Sequence, residues 1–257
     1  MKILRALAVL FVCAASAPAS AERIVSSVST HQVLITSNFN GLDLVLFGTV
    51  ERDAATVAHK TGYDLVVTVS GPKESVVTRR KDRAFGIWVN AESRYFVEVP
   101  SYLAVMSSRP IENFVDIDTA RRLQLGLRRT LLPQQIGPDL GDTPRDDPFR
   151  VAFLRLKQAK NLYVEQTAGV TFLTPALFRA TIPLPAEVPI GTYDVDLKLF
   201  ADGAIVARGN SAFEVVKVGF EQFIATSAQS DGVMYGLATV SLALMTGWFA
   251  SVIFRRD

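Results

Sequence analysis

The sequence predicts a mainly β protein: two immunoglobulin-like β-sandwich modules joined by a helical hairpin, followed by one C-terminal transmembrane helix. Three observations carry this. Short apolar runs alternating with polar residues recur between turn signals, as half-buried antiparallel strands do. Only one stretch, near the middle, has helical spacing. The chain also carries a charge-free run at each end, and their lengths differ.

The first run opens the chain. Lys2 and Arg5 precede an uncharged apolar stretch over 6–17, and Ala19, Ser20 and Ala21 offer small residues for cleavage before Glu22. Twelve helical residues reach about 18 Å, short of the roughly 30 Å hydrocarbon core. Residues 1–21 therefore read as a secretory signal peptide. The one cysteine, Cys13, leaves with it, so the mature chain has no thiol chemistry and no disulfide.

From Glu22 the period-two pattern begins. In 63–69, Tyr63, Leu65, Val67 and Val69 share one face, with Asp64 and Thr68 opposite. Further strands are expected at 32–36, 42–50, 76–80, 85–90 and 94–99, giving an N-terminal β module over 22–115. The basic run 79–83 lies between two of these strands and reads as a turn. Its Arg79, Arg80, Lys81 and Arg83 form a candidate anion patch. The aromatic-dense stretch 86–90, continuing through 95–102, reads as a sandwich core with one buried tryptophan, with an exposed binding face as the alternative.

Residues 116–161 carry the helical spacing. Ala120, Leu123, Leu127 and Leu131 recur at intervals of three and four, Asp116 or Asp118 is placed to cap the start, and Pro133 marks the end. A loop with Asp139, Asp142, Asp146 and Asp147 follows; its spacing is not that of a calcium loop, so it reads as a solvated linker. Asp147 followed by Pro148 then opens a second helix.

The C-terminal β module spans 162–219, with strands at 163–166, 170–173, 177–184, 194–200 and 211–218. Asp202 and Gly203 favour a tight hairpin turn. A juxtamembrane segment covers 220–231. The second charge-free run, 232–254, would reach about 34 Å as a helix, enough to cross a bilayer with modest tilt. Arg255 and Arg256 in the three-residue tail, 255–257, put the C-terminus in the cytoplasm. A tail that short holds no signalling domain, so influence must pass sideways. Gly236, Ala243, Gly247 and Ser251 place small residues along one helix face, a candidate surface for a partner helix.

Function is less legible than topology. Residues 22–232 hold 23 basic and 24 acidic side chains, which gives no polycationic surface for nucleic acid. The two histidines, His31 and His59, are not at metal-ligand spacing, and no nucleophile elbow or phosphate-binding glycine loop is present. No catalytic, cofactor or metal residue is singled out, and no cofactor is expected. The chain reads as non-enzymatic: an accessory or interaction subunit of an envelope or transporter complex. The alternatives are a tethered module binding a small anion, and a hydrolase built on a histidine set in a cleft.

Five segments carry a family resemblance: Tyr235-Gly236-Leu237, Gly247-Trp248-Phe249-Ala250-Ser251, Phe254-Arg255-Arg256-Asp257, Gly86-Ile87-Trp88-Val89-Asn90 and Val99-Pro100-Ser101-Tyr102. Together they resemble the alphaproteobacterial family of transmembrane proteins of unknown function, over essentially the whole mature chain. The resemblance implies a single-pass Gram-negative inner-membrane protein with a periplasmic ectodomain, and a membrane-protein partner of the sulfite-exporter permease type. It transfers no site residue.

Overall fold

The computed structural model describes residues 22–52, 62–136, 139–142, 144–219 and 232–253. The expected signal peptide (1–21), with Cys13, and His59, the expected juxtamembrane segment 220–231 and the tail 255–257 lie outside the described residues. The chain divides into two compact units, Met1–Val33 with Asn40–Val215, and Leu34–Phe39 with Val216–Asp257.

Alternating strands build the first unit. One sheet has the order β1 (Glu22–Val28), β3 (Gly41–Arg52), β12 (Leu177–Pro185), β11 (Val170–Phe172). A second has the order β10 (Tyr163–Thr167), β7 (Leu103–Ser107), β4 (Asp64–Ser70), β13 (Gly191–Ala201), β14 (Ala204–Lys217), β2 (Gln32–Ile35). Leu44, Leu46, Phe178 and Ile182 are buried on the first sheet, and Leu65, Val67, Leu197 and Leu199 on the second. The sheets approach closely where a Cβ added at Gly209 in β14 would stand 3.2 Å from Ile24 in β1. Tyr102 ties them again, donating its hydroxyl to the Pro183 carbonyl oxygen at 2.6 Å.

These sheets correct the expectation of two separate β modules. β12 pairs antiparallel with β3 from Leu177↔Thr49 to Pro185↔Gly41, and β13 pairs with β4 from Asp194↔Ser70 to Phe200↔Asp64. Strands of the segments 22–115 and 162–219 thus interleave in both sheets. A period-two pattern assigns each side chain to a face but does not choose the neighbouring strand, so sequence proximity was no guide to pairing. Two strands of these sheets were not anticipated: β1, and β7, whose five residues are all buried between β10 and β4.

The helical hairpin is also corrected. Helix α1 (Ile117–Arg122) is six residues long, with Asp116 as its cap, accepting from the Asp118 and Thr119 N–H groups. It stops because Gln124 and Gly126 take positive φ of 53° and 98°, after which a single 3-10 turn covers Leu127–Arg129. The turn buries Leu125 and Leu127 and leaves Leu131 exposed, so the expected apolar stripe does not lie on one helix. Helix α2 (Pro148–Ala159) forms as expected, with Asp147 Oδ1 accepting from Phe149 N at 2.9 Å and Arg150 N at 3.0 Å. The expected linker contains two short antiparallel strands, β8 (Pro133–Ile136) and β9 (Asp139–Asp142).

The second unit contains helix α3 (Gly232–Ile253), 22 residues without a charge. Thr239 and Thr246 turn their hydroxyls back onto the carbonyl oxygens of Tyr235 and Leu242 at 2.8 and 2.7 Å, so both are satisfied within the helix. Among the described residues no helix is long and apolar enough to cross a membrane. The 22-residue backbone of α3 extends about 33 Å.

Candidate interaction surface

A third sheet, ordered β5 (Lys73–Ala84), β6 (Ile87–Pro100), β8, β9, presents the most exposed apolar side chains of the first unit. β5 and β6 form one long antiparallel hairpin from Lys73↔Pro100 to Ala84↔Ile87. The expected strands 85–90 and 94–99 are therefore one strand. The basic run 79–83, expected as a turn, lies within β5. The chain reverses instead at Phe85 and Gly86, with φ of 50° and 86°, the pair of positive values a two-residue hairpin turn of primed type requires. A glycine meets that demand without strain, whereas Phe85 adopts a conformation that bulky residues avoid.

The base of the hairpin is fixed to α2. Phe96 is buried and stacks on Phe153 with ring centroids 4.6 Å apart, the Arg94 guanidinium lies 5.0 Å from the Phe149 ring centre, and Lys157 pairs with Glu74. β8 pairs with β6 only at Tyr95 and Phe96. From Thr78↔Arg94 outward the ladder has just two strands, a ribbon of about 20 Å.

Phe85 is fully exposed at the tip, with Ile87 66% and Trp88 69% exposed. Trp88 therefore does not fill a sandwich core, which corrects the expected buried tryptophan; Phe96 and Tyr102 of the same stretch are buried, while Trp88 stands on an exposed surface. The register places Arg83 opposite Trp88, Lys81 opposite Asn90 and Arg79 opposite Ser93, so strand alternation assigns these three cations and Trp88 to one face. A bulge between Arg80 and Lys81 increases the local twist. Arg80 pairs with Glu92 at 3.0 Å, and Arg83 Nε donates to the Gly86 carbonyl oxygen at 3.5 Å. The predicted anion patch is thus spread along the arm. Of its four residues, Arg79 alone lines any of three cavities formed by described residues.

The other predicted positions fall apart in space. Gly236, Ala243, Gly247 and Ser251 are exposed along α3, and a Cβ added at Gly236 or Gly247 would meet nothing within 4 Å. His31 is exposed, accepts at its carbonyl oxygen from Glu214 N at 2.8 Å and lines none of those cavities. Among the described residues no three His, Cys, Asp or Glu side chains gather as metal ligands. Asp142 instead holds Arg150 at 2.8 Å and accepts from Leu132 N at 3.0 Å. Phe85 and Ile87 escaped the sequence reading as site residues because an apolar side chain in a strand pattern is ordinarily assigned to a core.

The family described as "Putative transmembrane protein (Alph_Pro_TM)" matches residues 23–256. The chain belongs to this family. Membership covers both the hairpin and α3, and it agrees with the resemblance read from the sequence segments. No curated protein matches the chain. Among solved structures, the N-terminal domain of the Streptococcus gordonii adhesin Sgo0707 is similar over 76% of this chain and 32% of its own length, at 12% identity and a TM-score of 0.27. A likeness that weak carries no argument.

Proposed function

We propose that this member of the family is a non-enzymatic, single-pass inner-membrane protein that acts as an interaction subunit and docks a membrane-protein partner through the β5–β6 hairpin. The observation that carries the reading is the exposed cluster of Phe85, Ile87 and Trp88 at the end of a two-stranded arm whose base is fixed to α2. Aromatic anchors ringed by arginines are the composition of interface hot spots. No other described part of the first unit presents three large apolar residues so close together in sequence and so exposed.

Membership of a transmembrane family supports the anchor, as do the charge-free length of α3 and its internally bonded threonines. Arg255 and Arg256 favour a cytoplasmic C-terminus, which leaves the β-rich part in the periplasm. In this reading Gly236, Ala243, Gly247 and Ser251 give a partner helix a close approach, and the partner is a multi-pass permease of the sulfite-exporter type.

Affinity capture of the full chain after mild detergent extraction tests the reading. The wild type is expected to recover one membrane protein reproducibly, and F85S/W88S to lose it. Equal recovery by the two chains, or a wild type that comes back alone, would contradict it.

A further inference from the structure

The first unit contains a cleft of about 690 Å³ whose walls carry five guanidinium groups against three carboxylates. Its floor is Arg150, 2% exposed, with Nη1 donating to Asp142 Oδ1 at 2.8 Å and Nη2 to the Thr130 carbonyl oxygen at 2.5 Å. That charge is committed to holding β9 and the 3-10 turn against α2. One wall is a stripe of α2 carrying Val151, Leu154, Arg155 and Gln158, at three- and four-residue spacing. The facing wall is the turn Leu127–Arg129, whose Leu127 N–H donates to Glu165 Oε2 at 2.9 Å.

Pairing within the cleft is incomplete. Arg129 is engaged by Glu112 at 3.1 Å and donates to the Leu125 carbonyl oxygen at 3.1 Å. Arg128, Arg145 and Arg155 arrive from three different segments, line the same cleft and make no ion pair among the described residues. Of the three carboxylates, Glu112 is paired with Arg129, while Asp146 and Glu165, whose partner is a neutral N–H, face the three remaining cations and leave a net positive charge. Like charges gathered in a concave site repel one another, and a bound anion removes that cost.

We infer that this cleft binds a small dianionic oxyanion group of the phosphate-monoester type, with Arg128 and Arg155 as its principal ligands and Arg145 at its mouth. A guanidinium presents paired N–H donors that match two oxygens of one such group. The cleft's volume lies within the range of small-ligand sites, so the group arrives on a small molecule or a lipid headgroup rather than on an extended polymer. The inference does not depend on what the hairpin docks.

Calorimetric titration of the full-length protein in a non-ionic detergent tests it, using glycerol 3-phosphate as the soluble probe and short-chain phosphatidic acid as the lipid probe. One saturable site is expected, with affinity falling at least about tenfold in R128Q/R155Q, the loss that follows from removing charge-assisted bonds. R79Q/R83Q, which changes two equally exposed cations outside the cleft, is expected to bind as the wild type does. A preference for phosphatidic acid assigns the group to a lipid, and a preference for glycerol 3-phosphate to a soluble metabolite. No saturation below about 10 mM overturns the inference. So does an equal loss in both double variants, which marks unspecific charge attraction, or undiminished binding by R128Q/R155Q. The protection of wild type against heat by each probe gives a second readout that needs no variant.

Discussion

Trp88 stands directly across the ladder from Arg83, next to the closing pair of the β5–β6 hairpin, and its side chain is largely in solvent. Nothing in the fold requires an indole there. A two-stranded ribbon gains little from its tip, while exposed aromatic surface promotes association. The proposed docking supplies a reason for Trp88 and its neighbours that the fold does not.

Phe85 offers a test in which folding and docking move in opposite directions. Its φ of 50° in a primed turn favours asparagine over phenylalanine. F85N is expected to leave the thermal midpoint unchanged or to raise stability by about 0.5 kcal/mol, while partner recovery falls. A clear loss of stability measured by denaturant titration would mean that the ring serves the fold.

Gly48 reports on packing within the first sheet. It pairs with Phe178 across the β3–β12 ladder, and a Cβ added there would lie 2.3 Å from the buried ring. G48A is expected to lower stability by about 1–3 kcal/mol, the usual cost of overpacking. A midpoint equal to that of wild type would show that the ring moves aside freely.

Acid sensitivity follows from two carboxylates. Glu112 is held below the ordinary glutamate value by its own backbone N–H and by Arg129, and Asp116 is lowered by the Thr119 hydroxyl and N–H and by Asp118 N. A folded-state value below the unfolded one gives stability that is complete above the ordinary carboxylate range and is lost as pH falls through the folded value. The melting temperature is expected to decline below about pH 4.5, less steeply in E112Q/D116N than in wild type. Parallel slopes in the two chains would count against these contacts.

Tyrosine ionisation probes the core from the alkaline side. Tyr102, Tyr163 and Tyr193 each donate at 2.6 Å to a proline carbonyl oxygen, those of Pro183, Pro100 and Pro189. Burial raises all three phenols well above the ordinary value near 10. Stability from a raised value is complete below the unfolded value and is lost as pH climbs through the folded one. Ultraviolet titration should therefore show these three ionising only together with alkaline unfolding. Removal of part of that late step is expected in Y102F, and an unchanged late step would place Tyr102 elsewhere.

Much of the fold was legible where local chemistry decides it. Asp147-Pro148 specified the start of α2, Asp202-Gly203 the β13–β14 hairpin, and alternation in 194–200 the burial of Val195, Leu197 and Leu199. Alternation in 63–69 placed Leu65, Val67 and Val69 in the core but missed that β4 is buried on both faces, Asp64 and Val66 included. What escaped depends on distant partners. Leu103–Ser107 reads as an apolar run of no fixed type until β10 and β4 flank it. The pairing of β12 with β3 joins residues more than a hundred positions apart, and no local pattern encodes it. The site failed for a related reason: Trp88 has the same spelling in a core and on a protruding arm, and what separates the two is that among the described residues no third strand pairs beyond Arg94.

The central claim is that the hairpin tip touches a protein partner in the membrane. A photo-activatable amino acid placed at position 88 of the full chain, irradiated in intact membranes, tests it most directly. The account predicts one discrete protein adduct at position 88, and none when the same group replaces Lys217 at the end of β14. Adducts to lipid alone, or identical adduct patterns from both positions, would contradict it.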